Sequence, residues 1–255
     1  MAGSAMTNTD ILVCLAQFVA EKQFLFFAPV SRGWKAAWGR RSALTSFVTR
    51  DSSVSQLHYS FECGLPRDNV SICRALAGLG KVRLLECARE NGCGWDWTTC
   101  SLAAREGHLH VLQWARENGC PWNHSTCSSA AAGGHLAVLE WARQNGCGWD
   151  VQTCGGAAKG GHLAALRWAR QNGCAWDETT PYYAAYGGHV AVLEWAGQNG
   201  CSWNEGIFAV AAMRGHLDVM RWLVANGCPW NRDACLREAQ RKGRMDVVEW
   251  LQETR

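Results

Sequence analysis

No stretch of this chain approaches the ~20 consecutive apolar residues that a membrane-spanning helix requires. Neither sign of charge is in excess: 25 basic residues stand against 22 acidic ones, a net +3 spread along the chain. That balance is too weak and too dispersed to imply nucleic acid or an anionic membrane as a partner. The one apolar run placed like a secretion signal, Ile11 to Ala20, follows Asp10, lacks a basic flank and is broken by Gln17. We therefore expect the cytoplasm, with the nucleus as the alternative. Reaction machinery is missing as well. There is no glycine-rich phosphate loop, no His-Glu-x-x-His and no serine or cysteine in a nucleophile setting, so we expect no enzyme, no cofactor and no metal.

What the chain has in abundance is repetition. Six copies of Asn-Gly-Cys-x-Trp, each 27 residues after the last, place cysteines at Cys93, Cys120, Cys147, Cys174, Cys201 and Cys228. A fixed period between about 20 and 50 residues marks a solenoid, in which each unit covers its apolar face with the next. With 255 residues, 48% of them hydrophobic and 18% charged, the chain has room for one extended array and a small appendage.

In the unit Gly107 to Gly133, Leu109, Val111, Leu112, Trp114 and Ala115 form a broad apolar arc at helical spacing, leaving His110, Gln113 and Glu117 on a polar strip. This predicts a helix that Asn118-Gly119 ends. Four residues later stands Asn123, whose equivalents are Asp96, Asp150, Asp177, Asn204 and Asn231. An Asx residue at every repeat predicts the N-cap of a second helix, with a buried stripe such as Cys100, Ala103 and Ala104. About seven such helix pairs fit between Asn69 and Arg255. The chain thus divides into an amino-terminal segment, residues 1–60, and a repeat array, residues 61–255.

Fourteen cysteines raise the question of disulfides. Equivalent residues of stacked helices lie about 8 to 10 Å apart, beyond the roughly 4.4 to 6.8 Å between Cα atoms that a disulfide allows. Cys93, Cys120 and Cys147 have a second cysteine seven residues on (Cys100, Cys127, Cys154), but Cys174 and Cys201 meet Pro181 and Phe208 there. Free buried thiols are favoured over disulfides or a metal. The histidine ladder His108, His135, His162, His189 and His216 reads as turn-bonding side chains in preference to ligands, since zinc needs about four converging groups. Tryptophans at 114, 141, 168, 195 and 222 fall on the apolar helix face; those at 95, 122, 149, 176 and 203 fall in loops that fold over a neighbouring unit. Arg89, Arg116, Arg143 and Arg170 form a basic strip, by default helix-end cations facing water. The rung Glu86, Gln113, Glu140, Arg167, Glu194, Arg221 and Glu249 alternates in sign, as a strip of stacked salt bridges would.

Gly-His-Leu-x-Val-Leu at Gly107 to Leu112, preceded by Ala-Ala-x-x, resembles the second half of an ankyrin repeat, and Thr180-Pro181 followed by Ala184-Ala185 resembles that family's Thr-Pro-Leu-His-x-Ala signature. The likeness covers roughly residues 69 to 255. Ankyrin repeats run about 33 residues, and most of the shortfall here lies between Gly119 and Thr126, where the family has a β-hairpin. The resemblance implies an all-α, ankyrin-like helix-turn-helix repeat solenoid with truncated or absent β-hairpin fingers. The amino-terminal string Asp10-Ile11-Leu12, Leu15, Phe18-Val19, then Phe24 to Phe27 and Val30 to Lys35, is similar to the F-box. That likeness implies docking on the adaptor Skp1 through Leu12, Leu15, Val30 and Trp34; the alternative is a segment that caps the array.

Positions free of stacking duty vary between units. On one face of the Asx-capped helices they read Ser128/Ser129/Ala132, Gly155/Gly156/Lys159, Tyr182/Tyr183/Tyr186 and Ala209/Val210/Met213. Three of the four tyrosines share one turn, and tyrosine is a common anchor of interfaces. Tyr182, Tyr183, Tyr186, Val210 and Met213 are therefore the expected partner-binding residues on the concave face, against the alternative that the tyrosines pack under a Trp loop. The expected function is a monomeric, non-enzymatic protein-interaction scaffold; the alternative is an F-box-type substrate receptor of a cullin-RING ubiquitin ligase.

Overall fold

The computed structural model describes residues 52–62, 70–204 and 206–254. The F-box-like segment, with Leu12, Leu15, Val30 and Trp34, lies outside the described residues. Every element within them is a helix of nine or ten residues: α1 (Val54–Glu62), then seven pairs. The first helices of the pairs are α2 (Val70–Gly78), α4 (Trp97–Arg105), α6 (His124–Ala132), α8 (Val151–Gly160), α10 (Thr179–Gly187), α12 (Gly206–Arg214) and α14 (Arg232–Arg241). The second helices are α3 (Val82–Glu90), α5 (Leu109–Glu117), α7 (Leu136–Gln144), α9 (Leu163–Gln171), α11 (Val190–Gln198), α13 (Leu217–Ala225) and α15 (Met245–Glu253). The chain is an all-α helix-turn-helix solenoid. Between α5 and α6 only a short loop runs, and no strand is found among the described residues, so the finger is absent.

The elements start and stop where local chemistry dictates. Asp96, Asn123 and Asp150 sit in extended backbone and accept the amide N–H two residues on, each at 2.9 or 3.0 Å, which satisfies one orphan donor of α4, α6 and α8. Asp177 does the same for Thr179, and Asn204 for Gly206. The second helices end in a left-handed glycine: Gly119 has φ 81°, and the amides of Gly119 and Cys120 return to the carbonyls of Arg116 and Ala115. That pair of bonds is a Schellman stop, and Gly107 with His108 repeats it after α4.

Two rows result. The first helices pack closely on one another from α2 to α14, whereas successive second helices barely touch. Small side chains allow the close row: a β-carbon on Gly156 of α8 would lie 2.7 Å from the Ser128 carbonyl of α6. Unequal spacing bends the stack toward the tighter row, so the first helices take the concave side. The core runs between the rows as a ladder of Leu85, Leu112, Leu139, Leu166 and Leu193, with the Ala-Ala pairs opposite, all of them fully buried. Each leucine withdrawn from water contributes about 1.5–3 kcal/mol. At the amino-terminal end α1 runs across residue 60 and lays the buried Leu57 and Phe61 into this core, packing on α3.

Candidate functional site

Three features tie each unit to its own start or to its neighbour, and they remove most of the conspicuous residues from consideration as a site. The histidine that opens each second helix reaches back across the inter-unit boundary. His108 Nε2 donates to the Gly78 carbonyl at 3.1 Å, His189 to that of Lys159 at 3.1 Å and His216 to that of Tyr186 at 3.0 Å, each 30 residues earlier. Arg244 takes this place in the last pair, donating to the Met213 carbonyl. Burial lowers the pKa of His162, with a backbone bond to Ala132 acting against it.

The closing cysteine does the corresponding job within a unit. Cys147 Sγ donates to the Asn123 carbonyl at 3.2 Å and Cys174 to that of Asp150 at 3.2 Å, 24 residues earlier in each case. Its thiol neighbour is the cysteine 20 residues before it, in Cys73–Cys93, Cys100–Cys120, Cys127–Cys147 and Cys154–Cys174, not the one seven residues after it that the sequence brings to mind. The thiol–thiol hydrogen bond, with burial behind it, pushes Cys73, Cys120, Cys127 and Cys154 above the ordinary thiol range. All twelve described cysteines are free and buried. Among the described residues no group of three or more histidines, cysteines or carboxylates is placed to hold a metal ion.

The loop tryptophans are structural in a way the sequence reading did not foresee. Each meets the helix tryptophan 19 residues on edge to face, as Trp122 does Trp141 and Trp149 does Trp168, with ring centroids 5.8 Å apart. The arginine strip, expected to face water, instead lies over these rings: Arg116 is 4.4 Å from the Trp122 centroid and Arg143 4.1 Å from that of Trp149. Each guanidinium also donates to the carbonyl of the closing cysteine, Arg116 to Cys120 and Arg143 to Cys147. Where Gly197 replaces the arginine, the Trp203 ring drops into the vacated space, 2.6 Å from where a β-carbon would stand. Beyond Val224, Trp230 stacks on Phe208 at 4.6 Å. These rings leave open polar-rimmed clefts between second helices, one of about 440 Å³ lined by Glu140, Arg143, Trp149, Trp168 and Asn172. The alternating rung forms no ladder of ion pairs among the described residues. Its members bridge within their own helix, Arg83 to Glu86 and Arg221 to Asp218, and Arg167 lies 5.9 Å over Trp195.

The concave row remains. Tyr182 is 39% exposed and stands edge to face with Tyr183 at 5.8 Å. Tyr183 fills the space above Gly155 of the preceding unit, where a β-carbon would come within 2.9 Å of its ring. Tyr186 lies between two cations, Lys159 Nζ 5.2 Å and the Arg214 guanidinium 4.4 Å from its centroid. Met213 is half-buried beside them. Val210 is different: at 4% exposure it belongs to the core between the rows and offers no surface. Of the five residues expected on this face, Tyr182 is exposed, Tyr183, Tyr186 and Met213 are half-buried and Val210 is buried, and sequence reasoning missed the two cations that flank Tyr186. Their signal was present in the +5 and +6 positions after each unit's first-helix cysteine or its substitute, read one unit apart.

Among the described residues no helix is long and apolar enough to cross a membrane. No family profile and no curated protein matches the chain. Among solved structures it is similar to the ankyrin repeat domain of human ASB11, at 17% sequence identity over 70% of this chain and 96% of that one, with a TM-score of 0.49.

Proposed function

We propose that this chain is a non-enzymatic scaffold that holds a protein partner against the concave row of first helices. The observation that carries this reading is the division of labour within the repeat. Positions that recur from unit to unit are buried or bonded to a neighbour, whereas those that vary fall on one side of the first helices, where they include the exposed Tyr182 and the half-buried Tyr183, Tyr186 and Met213. Tyrosine offers large contact area at low entropic cost, and truncating such anchors typically weakens binding by about 2 kcal/mol or more, roughly 30-fold. The test is proximity labelling and pull-down with the full chain and with a Tyr182→Ala/Tyr183→Ala/Tyr186→Ala variant whose helical circular dichroism is intact. Loss of specific partners is expected; a variant that keeps every partner would move the site to the Trp-lined second row.

The F-box likeness of residues 10–38 supports a second reading, in which the array presents a target while the amino terminus holds Skp1. Replacing Val30 and Trp34 by charged residues then abolishes Skp1 co-purification and spares binding to the concave face. An intact chain that does not bind Skp1 reduces the segment to a cap. We read the working species as a monomer in the cytoplasm or nucleus.

A further inference from the structure

The exposed arc of the first helices is more basic than the chain that carries it. Arg74, Arg105, Lys159, Arg214 and Arg237 all stand exposed there, against the carboxylates of Glu106, Glu178 and Asp233. Arg241 also lies on this side but is paired with Glu238 at 2.6 Å. Five such cations against three carboxylates leave this face a modest positive excess.

At the tyrosine end this charge is concentrated. Lys159 comes from the unit before Tyr186 and Arg214 from the unit after it, so two units each bring a cation to one ring. The ring quadrupole attracts each of them, by about 0.5–1 kcal/mol at an exposed site. It does not neutralise them, and no carboxylate pairs with either among the described residues. An anionic group that reaches either cation gains a charge-assisted hydrogen bond that no protein carboxylate supplies. Tyr182 and Met213, on the same face, supply apolar area next to the charged pair.

Resting on the reading of the concave row as the partner face, we propose that this groove binds an extended acidic segment of a protein partner, with separate carboxylates meeting Lys159 and Arg214 and an apolar side chain set against Tyr182 and Met213. The geometry also fixes a spacing. Helix axes packed side by side are about 8–10 Å apart, and an extended chain advances about 3.3 Å per residue. A carboxylate at every third residue therefore falls in register with successive units, which matches the cations' occurrence one or two units apart along the groove.

The experiment uses the full chain and a fluorescein-labelled peptide of about twelve residues with Glu at every third position and a central Leu-Phe, compared with the same peptide carrying Lys for Glu. By fluorescence anisotropy the Glu peptide binds and the Lys peptide does not, and affinity falls at least about tenfold between roughly 50 and 300 mM salt as the charges are screened. A Lys159→Glu/Arg214→Glu variant loses at least about tenfold with its thermal melt unchanged, whereas Arg83→Glu/Arg221→Glu on the second row has no effect. The proposal is overturned if the Glu peptide does not bind, if both charge reversals weaken it equally, or if a single-stranded oligonucleotide of similar length binds more tightly, which would assign the face to a phosphate backbone. The two readings separate cleanly. If natural partners are lost with the triple tyrosine variant but retained by Lys159→Glu/Arg214→Glu, the concave face stands and the acidic partner falls; if neither variant loses them, both fall.

Discussion

The closing cysteine shows how much a single side chain contributes to a repeat. A small, weakly polar thiol fits where the second helix of a unit returns to its start, and its hydrogen satisfies the N-cap carbonyl that the first helix leaves free, at 3.2 Å for Cys147 and Asn123. Cys201 and Cys228 keep this bond although Pro181 and Phe208 replace their thiol neighbours, so the carbonyl rather than the second thiol is the constant partner. Burial, with the Asp177 carboxylate behind it, pushes Cys201 up to about 11 from an ordinary 9.0. A thiol raised in the folded state binds a proton that the unfolded chain releases, so its stabilisation is complete below the unfolded value and is lost as pH rises through the folded one. For His162 the sign is opposite: burial holds its pKa below the ordinary 6.5, and stability declines as pH falls through that range. We therefore expect urea midpoints to form a plateau between about pH 7 and pH 9 and to fall on either side. In the same window iodoacetamide modifies the described cysteines only after unfolding, read by mass spectrometry; a stoichiometric Cys100–Cys120 disulfide in the native protein would contradict the free-thiol assignment.

Within an element, the arginine at the end of each second helix acts as a clasp. Arg143 covers the Trp149 ring, bonds the Cys147 carbonyl and so fixes the path of the loop into α8. Losing a charged hydrogen bond to a half-buried carbonyl together with the ring contact costs about 1–3 kcal/mol. Arg143→Ala should lower stability by that amount in urea titration, whereas Arg83→Ala, which removes only an exposed pair with Glu86, should stay within about 0.5 kcal/mol. Equal shifts would reduce the clasp to surface decoration. The pairing of helices, their caps and their glycine stops were all legible in the sequence, because in a solenoid the spacing along the chain is also the spacing through space. Side-chain partners were not. Cysteines seven apart and twenty apart are both implied by a period of 27, and periodicity alone does not say which of the two distances is short in space. The arginine over its tryptophan and the cations around Tyr186 depend in the same way on where side chains point, and Val210 was counted as surface because it stands in register with Tyr183, although it is buried.

At the scale of the whole molecule, stability is a sum over units and over the boundaries between neighbours. Leu166 in α9 is fully buried at the centre of the array, and Leu251 in α15 is fully buried in its last helix. Truncating either to alanine removes the same atoms from a closed core, at a local cost of about 2–5 kcal/mol. The consequences differ because of position. A weakened last unit frays by itself and leaves six pairs stacked, so Leu251→Ala lowers the stability of α14 and α15 while the main urea transition keeps its midpoint. A weakened central unit leaves two arrays of about three pairs, each too short to hold itself well, and the single transition broadens or splits with a reduced denaturant slope. Hydrogen exchange distinguishes the outcomes by location. In Leu251→Ala the added exchange is confined to residues after Asn231, whereas in Leu166→Ala it spreads from α8 and α9 toward both ends; matching protection maps for the two variants would mean that the seven pairs fold as one indivisible core.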